Sequence, residues 1–213
     1  MNTLIVNGSP NGAKGNTEIF AQQFISGCGE PCHISYAAKE ELDALAASMA
    51  NYDTVLFFMP LYVHAMPGIV MKLMEHMKPA REGQRIGFVV QYGFVEGAQA
   101  QYVKRYFELL AKRLGYTYCG TVVHGGSAGV RYMPEKMNRE LFTNIQGLGR
   151  TYSTSGQLDE QIATQMAQPY ELSGGKVALY RFLTRIGIMN MFWNKMLRSN
   201  NAYEKRFDKP FSP

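Results

Sequence analysis

The sequence has little cysteine, little charge and no long apolar run, and each shortage excludes a class of protein. Its three cysteines are an odd number and too few for a disulfide framework, which leads us to expect a reduced, cytoplasmic protein. The most apolar stretches are interrupted by basic residues, at Lys72, Arg181, Arg185 and Lys195. None therefore reaches the ~18 residues of a membrane-spanning helix. Hydrophobic residues nevertheless make up 46% of the 213 residues, enough for one globular domain and too many for a disordered chain.

The net charge of +5 is unevenly distributed. Residues 176–213 contain eight basic and two acidic residues, a net charge of +6, whereas the rest of the chain contains 14 basic and 15 acidic ones. The basic character therefore belongs to the C-terminal segment. A uniformly basic face for binding nucleic acid is not indicated.

Strand and helix signals alternate over residues 1–147. Short apolar runs predict five strands, at residues 3–6, 33–36, 54–59, 86–90 and 117–124. Apolar residues at helical spacing predict the helices that follow them, at residues 17–26, 39–49, 69–77, 98–114 and 134–146. This alternation predicts an α/β fold, a doubly wound five-stranded parallel sheet with helices on both faces.

The rest of the chain predicts a helical extension. Residues 148–156 are typical of a loop, 159–166 of a short helix and 176–198 of a longer helix. We expect one domain over residues 1–213, with its core at about 1–147 and the C-terminal helical extension at about 157–213.

The loop after the first strand is rich in groups that bind an anion. It contains three glycines, Ser9, Asn16 and Thr17, and it leads into a helix, whose N-terminus favours a phosphate. Its glycines match neither the G-x-G-x-x-G of dinucleotide-binding proteins nor a P-loop. The residues by themselves fit a phosphate site and an ordinary turn, with Asn16 or Thr17 as helix cap, about equally well.

Two further loops follow predicted strands at the same edge of the sheet, where ligands of such sheets bind. Residues 59–68 combine Pro60 and Pro67 with an aromatic, an imidazole and a thioether side chain, so they could hold a flat ring. Residues 91–97 carry Tyr92 and Phe94 on a glycine-containing loop suited to stacking on a planar ligand. Each loop is also compatible with ordinary packing.

Together the three loops resemble those of the flavodoxin-like flavoproteins of the NAD(P)H-dependent FMN reductase family. Gly8-Ser9-Pro10 with Gly15-Asn16-Thr17 resembles the phosphate loop of that family, and Pro60-Leu61-Tyr62 with Met66-Pro67-Gly68 resembles its isoalloxazine loop. The resemblance covers about residues 1–130. It implies the strand order 2-1-3-4-5, FMN as cofactor and NADPH or NADH as hydride donor. The family often has a basic residue where this chain has Asn11.

The resemblance also implies which residues hold the cofactor. The phosphate would be bound by Ser9, Asn11, Gly15, Asn16 and Thr17. The flavin ring would be lined by Pro60, Leu61, Tyr62 and Val63 on one side and by Tyr92, Gly93 and Phe94 on the other. We expect no catalytic side chain, because the ring itself accepts hydride, and no metal, because no suitable ligand spacing is present.

A rival motif, Gly125-Gly126-Ser127-Ala128-Gly129, has the G-x-S-x-G pattern of a hydrolase nucleophile elbow. That order requires a histidine after the serine, whereas all four histidines precede Ser127. The predicted helix also begins only near Pro134, too late for an elbow. We therefore expect a flexible loop near the cofactor.

The function predicted from these patterns is an FMN-dependent oxidoreductase that reduces a second small molecule, such as a flavin, a quinone, or an azo or nitro compound. The alternative is a flavodoxin-type electron carrier without steady-state reductase activity. Carriers of that type tend to be strongly acidic, whereas the core of this chain is near neutral. The composition therefore favours the enzyme.

The predicted helix of residues 176–198 is apolar over most of its circumference. Such a helix needs burial on more than one side, which predicts a homodimer. The resemblance agrees, since the related reductases commonly dimerise. A membrane-surface helix is the alternative, because four basic residues flank the apolar ones.

Overall fold

The five predicted strands form one parallel sheet in the order β2-β1-β3-β4-β5, as expected. The computed structural model describes residues 2–209, without the side chains of Ile188, Met189 and Phe192. The last four residues of the predicted extension, 210–213, lie outside the described residues. The strands are β1 (Thr3–Asn7), β2 (His33–Tyr36), β3 (Thr54–Pro60), β4 (Arg85–Gln91) and β5 (Thr117–His124).

Helices cover both faces of this sheet. They are α1 (Asn16–Cys28), α2 (Leu42–Ser48), α3 (Gly68–His76), α4 (Gln101–Leu114), α5 (Glu135–Ser155) and α6 (Glu160–Met166). One apolar core lies between the sheet and α2, α3 and α4, and a second lies between the sheet and α1, α5 and α6. Every residue of β1 and β3 is buried, as in strands covered on both faces.

The predicted loop at residues 148–156 is wrong, because α5 continues to Ser155. Gly149 belongs to a close helix contact, and only Gly156, with a φ of +68°, ends the helix. A Cβ atom on Gly149 would lie 2.1 Å from the Phe24 carbonyl oxygen of α1, and one on Gly27 would lie 2.1 Å from the carbonyl oxygen of Gln146. Glycine at these two positions lets the backbones of α1 and α5 approach each other.

The chain divides into two compact units, Met1–Glu171 and Leu172–Pro213. The second unit contains α7 (Gly174–Arg185) and α8 (Ile188–Ser199). The single helix predicted over residues 176–198 is therefore wrong. Gly187 interrupts it with a φ of +80°, a conformation that glycine adopts without strain. Among residues 2–209, no helix is long and apolar enough to cross a membrane.

Candidate functional site

The carboxyl ends of β1, β3, β4 and β5 bring four loops to one edge of the sheet. Hydrogen bonds between neighbouring loops continue the sheet beyond the strands. The N–H of Gly8 donates to the Phe58 oxygen (2.8 Å), that of Leu61 to the Gln91 oxygen (2.9 Å), and that of Tyr92 to the His124 oxygen (3.1 Å). The strand order reverses between β1 and β3, which is where ligands bind in sheets of this kind.

The loop after β1 is held in shape by its own polar groups. The buried side-chain oxygen of Asn7 accepts a hydrogen bond from the Ser9 N–H (3.0 Å), and the Ser9 hydroxyl oxygen accepts one from the Asn11 N–H (3.2 Å). The Ser9 carbonyl then accepts from the Gly12 N–H (2.9 Å). These bonds order the loop before any ligand binds.

Gly15 permits this loop to pass close to the start of α1. A Cβ atom on Gly15 would lie 2.7 Å from the Ser9 hydroxyl oxygen and 3.4 Å from the Asn11 Cβ. Gly15 is also the N-cap residue, and no side chain within residues 2–209 caps the helix. The alternative of an Asn16 or Thr17 cap is therefore not what the structure contains.

The first amides of α1 are left without partners. Within the described part of the chain, the backbone N–H groups of Asn16 and Thr17 find no hydrogen-bond acceptor. The hydroxyl groups of Ser9 and Thr17, both buried, each accept a hydrogen bond and retain a hydrogen to donate. Donors of this kind at a helix N-terminus suit an anion, so we call this place the candidate anion site.

Neighbouring loops hold this helix end in place. The side-chain amide of Asn16 donates to the Ser127 carbonyl (2.7 Å), and that of Gln91 donates to the Thr17 hydroxyl oxygen (3.3 Å). Asn16 can therefore offer an anion its backbone N–H, since its side chain is already bonded. The side chain of Asn11 is exposed at the rim of the loop.

One carboxylate, that of Glu18, lies close to the candidate anion site. It accepts hydrogen bonds from the side-chain amides of Asn7 (2.9 Å) and Gln22 (2.9 Å) and from the Tyr36 hydroxyl (3.2 Å). Partial burial first, and the Glu18 charge second, raise the pKa of Tyr36. The three donors hold the carboxylate on the β2 side of α1.

The loop after β3 contains a strained turn, residues 62–65. Reciprocal hydrogen bonds join Tyr62 and Ala65, at 2.8 Å and 3.0 Å between nitrogen and oxygen. Its two central residues, Val63 and His64, have φ values of 48° and 66°. Positive φ at a β-branched residue costs on the order of 1–3 kcal/mol and is often found at functional sites.

The same turn presents an apolar surface at the rim of the sheet edge. Val63 is 86% exposed and Tyr62 is 50% exposed, whereas Pro60 and Leu61 are buried beneath them. His64 Nδ1 donates to the Gln99 carbonyl at 3.2 Å, which ties the turn to the segment before α4. A planar ligand could therefore lie against Tyr62 and Val63.

The two aromatic residues of the loop after β4 differ in position. Phe94 is 65% exposed and can present its ring to a ligand. Tyr92 is only 3% exposed, and its hydroxyl donates to the Glu96 carbonyl at 3.1 Å. Burial raises the pKa of Tyr92 to about 12. The side chain of Tyr92 is thus part of the core and does not face the edge, contrary to the predicted stacking role.

The loop after β5 is structural. Ser127 is fully buried, and its hydroxyl donates to the His124 carbonyl at 3.3 Å. His124 Nδ1 donates to the Met166 carbonyl at 3.0 Å, and burial lowers the pKa of this imidazole. Ser127 is thus enclosed and bonded to a backbone carbonyl, whereas the serine of a nucleophile elbow is exposed at its strand end.

Three buried polar residues at this edge were not predicted as part of the site: Asn7, Gln91 and Ser127. Asn7 and Gln91 are polar residues that end otherwise apolar strands, and this was the signal available in the sequence. A separate open cavity of about 710 Å³ lies along β5 between α4 and α6. None of the predicted cofactor-binding residues lines that cavity.

No protein-family model matches the chain, and no curated protein matches it by sequence. Several solved structures share its fold. An NADPH-quinone reductase from P. pentosaceus has a TM-score of 0.53 and 18% identity, over 73% of this chain and 99% of that one. An FMN-dependent NADH-azoreductase from Bacillus anthracis, in complex with FMN, has a TM-score of 0.54 and 14% identity, over 72% of this chain and 100% of that one.

A third structure, an NAD(P)H:quinone oxidoreductase from Methanothermobacter marburgensis, has a TM-score of 0.55 and 12% identity, over 71% of this chain and 96% of that one. Identities this low establish the fold alone. Like these reductases, the chain has the flavodoxin-like fold, a five-stranded parallel sheet in the order 2-1-3-4-5.

Proposed function

We propose that the chain is an FMN-binding oxidoreductase that takes hydride from NADPH or NADH and passes electrons to a second small molecule. The observation that carries the proposal is the set of unpaired donors at the start of α1, where a Cβ atom on Gly15 would lie 2.7 Å from the Ser9 hydroxyl oxygen. This donor set lies at the reversal of strand order and suits a phosphate monoester.

The residues present fit FMN in two respects. The backbone N–H groups of Asn16 and Thr17 and the hydroxyls of Ser9 and Thr17 would hold the phosphate, and the positive end of α1 would stabilise its charge. Tyr62, Val63 and Phe94 are exposed beside a rigid edge and would pack on the flavin ring.

The backbone of the 62–65 turn would position the polar edge of the ring. Within the described residues, the N–H groups of Val63 and His64 have no hydrogen-bond acceptor. The positive φ of both residues fixes the direction of these N–H groups. We infer that this is the reason for retaining a strained turn at Val63.

When bound at Ser9, Asn16 and Thr17, FMN would supply the transfer of hydride and electrons between the nicotinamide and the acceptor. The tasks of this chain's residues are to bind and orient. His64 and His124 both donate through Nδ1 to backbone carbonyls. No acid or base role is proposed for a side chain, because the flavin ring itself carries out the redox chemistry.

The names of similar structures support the acceptor class. They include NADPH-quinone reductase and FMN-dependent NADH-azoreductase. The general stress protein 14 from Treponema denticola, in complex with FMN, supports the cofactor only. A quinone that accepts two electrons and two protons becomes a hydroquinone. We propose quinones and azo compounds as the first acceptors to test.

Anaerobic titration tests this proposal. The full chain is loaded with FMN, and NADPH or NADH is added while the flavin absorbance is followed. Bleaching by either donor, followed by recovery of the yellow colour with a quinone or azo dye over many turnovers, is the expected result. Bound flavin that neither donor bleaches would instead indicate an electron carrier.

A further inference from the structure

The second unit exposes an apolar face on α7. Leu179, Phe182 and Ile186 are 54%, 58% and 51% exposed. Their spacing of three and then four residues places them on one face of the helix. Three large apolar side chains exposed side by side indicate a surface that binds something.

The apolar surface continues beyond α7. Met191 and Trp193 on α8 are 69% and 58% exposed, and Phe207 after it is 79% exposed. Because Gly187 ends one helix and begins the next, α7 and α8 each have their own faces. The basic residues of α7 and those of α8 therefore do not have to lie on one common face for each helix to be amphipathic.

Helix α7 also carries basic residues, which lie opposite or beside its apolar face. Successive residues of a helix are rotated by about 100°, so Arg181 lies on the side opposite to Leu179 and Ile186, whereas Arg185, three residues after Phe182, borders the apolar face. Both helices together contain five basic residues and no acidic one. An apolar face with basic residues on the opposite side is typical of helices that lie in a membrane interface.

The segment after α8 adds more positive charge. The guanidinium groups of Arg198 and Arg206 lie 4.2 Å and 3.8 Å from the centre of the Tyr203 ring. The whole unit has eight basic and two acidic residues, a net charge of +6. Its surface is thus both strongly basic and rich in exposed apolar side chains.

We propose that the second unit docks on an anionic lipid bilayer. Its charge complements acidic headgroups, and its exposed Leu179, Phe182 and Trp193 would enter the boundary between headgroups and acyl chains. The long arginine side chains keep their charge at the headgroups while their stems cover apolar surface.

The dimensions of the helices set the depth of insertion. Each contains 12 residues and is about 18 Å long, well short of the ~30 Å hydrocarbon core. The helices would therefore lie along the membrane surface and not cross it.

A second copy of this chain is the other candidate to cover this apolar surface, as in the homodimer that the sequence predicts. A dimer would bring together two units that each carry a net charge of +6 and repel each other. The dimer expectation also rested on one continuous helix, which Gly187 interrupts. Charge complementarity therefore favours the anionic membrane.

Co-sedimentation of the full chain with lipid vesicles tests the proposal. One set of vesicles is pure phosphatidylcholine, and the other contains phosphatidylcholine and phosphatidylglycerol in equal parts. We expect binding to the anionic vesicles only, and weaker binding as salt screens the charges. No binding to anionic vesicles at low salt, or equal binding to both sets, would overturn the proposal.

Matched variants assign the binding to this unit. Arg181→Gln with Arg185→Gln should weaken partition onto anionic vesicles by about 30-fold, given the usual contribution of a basic residue near such a surface. Lys112→Gln with Arg113→Gln, which removes the same charge from the end of α4, is the control and should change binding much less. Equal losses in the two double variants would show that net charge alone is responsible.

Apolar variants and light scattering separate the membrane from the dimer. Phe182→Ser should weaken vesicle binding by about tenfold or more, whereas Leu109→Ser, at a residue 65% exposed on α4, should not. The opposite outcome is that Phe182→Ser converts a dimer to a monomer while the unchanged chain does not bind vesicles. In that case a second copy of the chain covers the apolar face, and the membrane proposal fails.

Discussion

The side-chain amide of Asn16 donates a 2.7 Å hydrogen bond to the backbone carbonyl of Ser127, 111 residues further along the chain. This bond joins the first turn of α1 to the loop after β5. Thr17 is joined in a similar way to the end of β4 by Gln91. The proposed phosphate site is therefore positioned by loops that are distant in sequence.

Replacing Thr17 by valine should weaken FMN binding. Valine keeps the shape of this buried side chain but removes a hydroxyl that would donate to the phosphate. A hydrogen bond to a charged group contributes roughly 1.5–3 kcal/mol, so the Kd for FMN should rise about 10- to 150-fold. Thr121→Val, which removes another buried hydroxyl, one bonded to Tyr118, is the control and should leave the Kd within about twofold.

Replacing Gly15 by alanine should disturb the phosphate site. The added Cβ would lie 2.7 Å from the Ser9 hydroxyl oxygen, so the Ser9 side chain must rotate or the loop must shift, and either change moves the Ser9 hydroxyl away from the phosphate. We expect FMN affinity to fall by at least about tenfold, measured by quenching of flavin fluorescence. Gly175→Ala has open space around its Cβ and should leave FMN affinity unchanged. Equal effects of both changes would argue against a phosphate site beside Gly15.

Replacing Val63 by glycine should stabilise the protein and weaken its hold on the flavin ring. Glycine adopts a φ of 48° without strain, so the free energy of unfolding should rise by about 1 kcal/mol and Tm by about 2–4 °C. Val95→Gly, where φ is not positive, should lower Tm instead. A lower Tm for Val63→Gly would show that the turn is not strained.

Tyr92 should make the free energy of unfolding depend on pH in the alkaline range. Burial raises its pKa in the folded protein to about 12, so the unfolded chain, with a tyrosine pKa of about 10, loses this proton first. The contribution is present below about pH 10 and is lost as pH rises through about pH 12. Denaturant unfolding at a series of alkaline pH values should show a shallower decline for Tyr92→Phe than for the parent chain. An identical decline of the unfolding free energy with pH in both proteins would contradict a raised pKa for Tyr92.

The sheet could be predicted from sequence because its strands are short apolar runs between turn residues. Residues 54–59 are a clear example, since every position is buried in β3. The end of α5 could not be predicted, because Gly149 suggests a turn locally and only the contact with α1 explains it. Gly187 shows the reverse case, a glycine that does end a helix.

The candidate site was predictable by position but not by orientation. The structure places Ser9 beside the Gly15 N-cap and puts Asn16 and Thr17 in the first turn of α1. That Asn16 turns its amide to Ser127, and that Tyr92 points into the core, depends on neighbouring strands. Local sequence carries no information on either contact.

The most direct test of the account compares the affinity of the full chain for FMN and for riboflavin, which lacks the phosphate. Isothermal titration calorimetry measures both under the same conditions. If the phosphate binds at the start of α1, its hydrogen bonds should make FMN bind at least about 100-fold more tightly than riboflavin. Equal affinity for the two flavins, or no binding of FMN, would contradict the account.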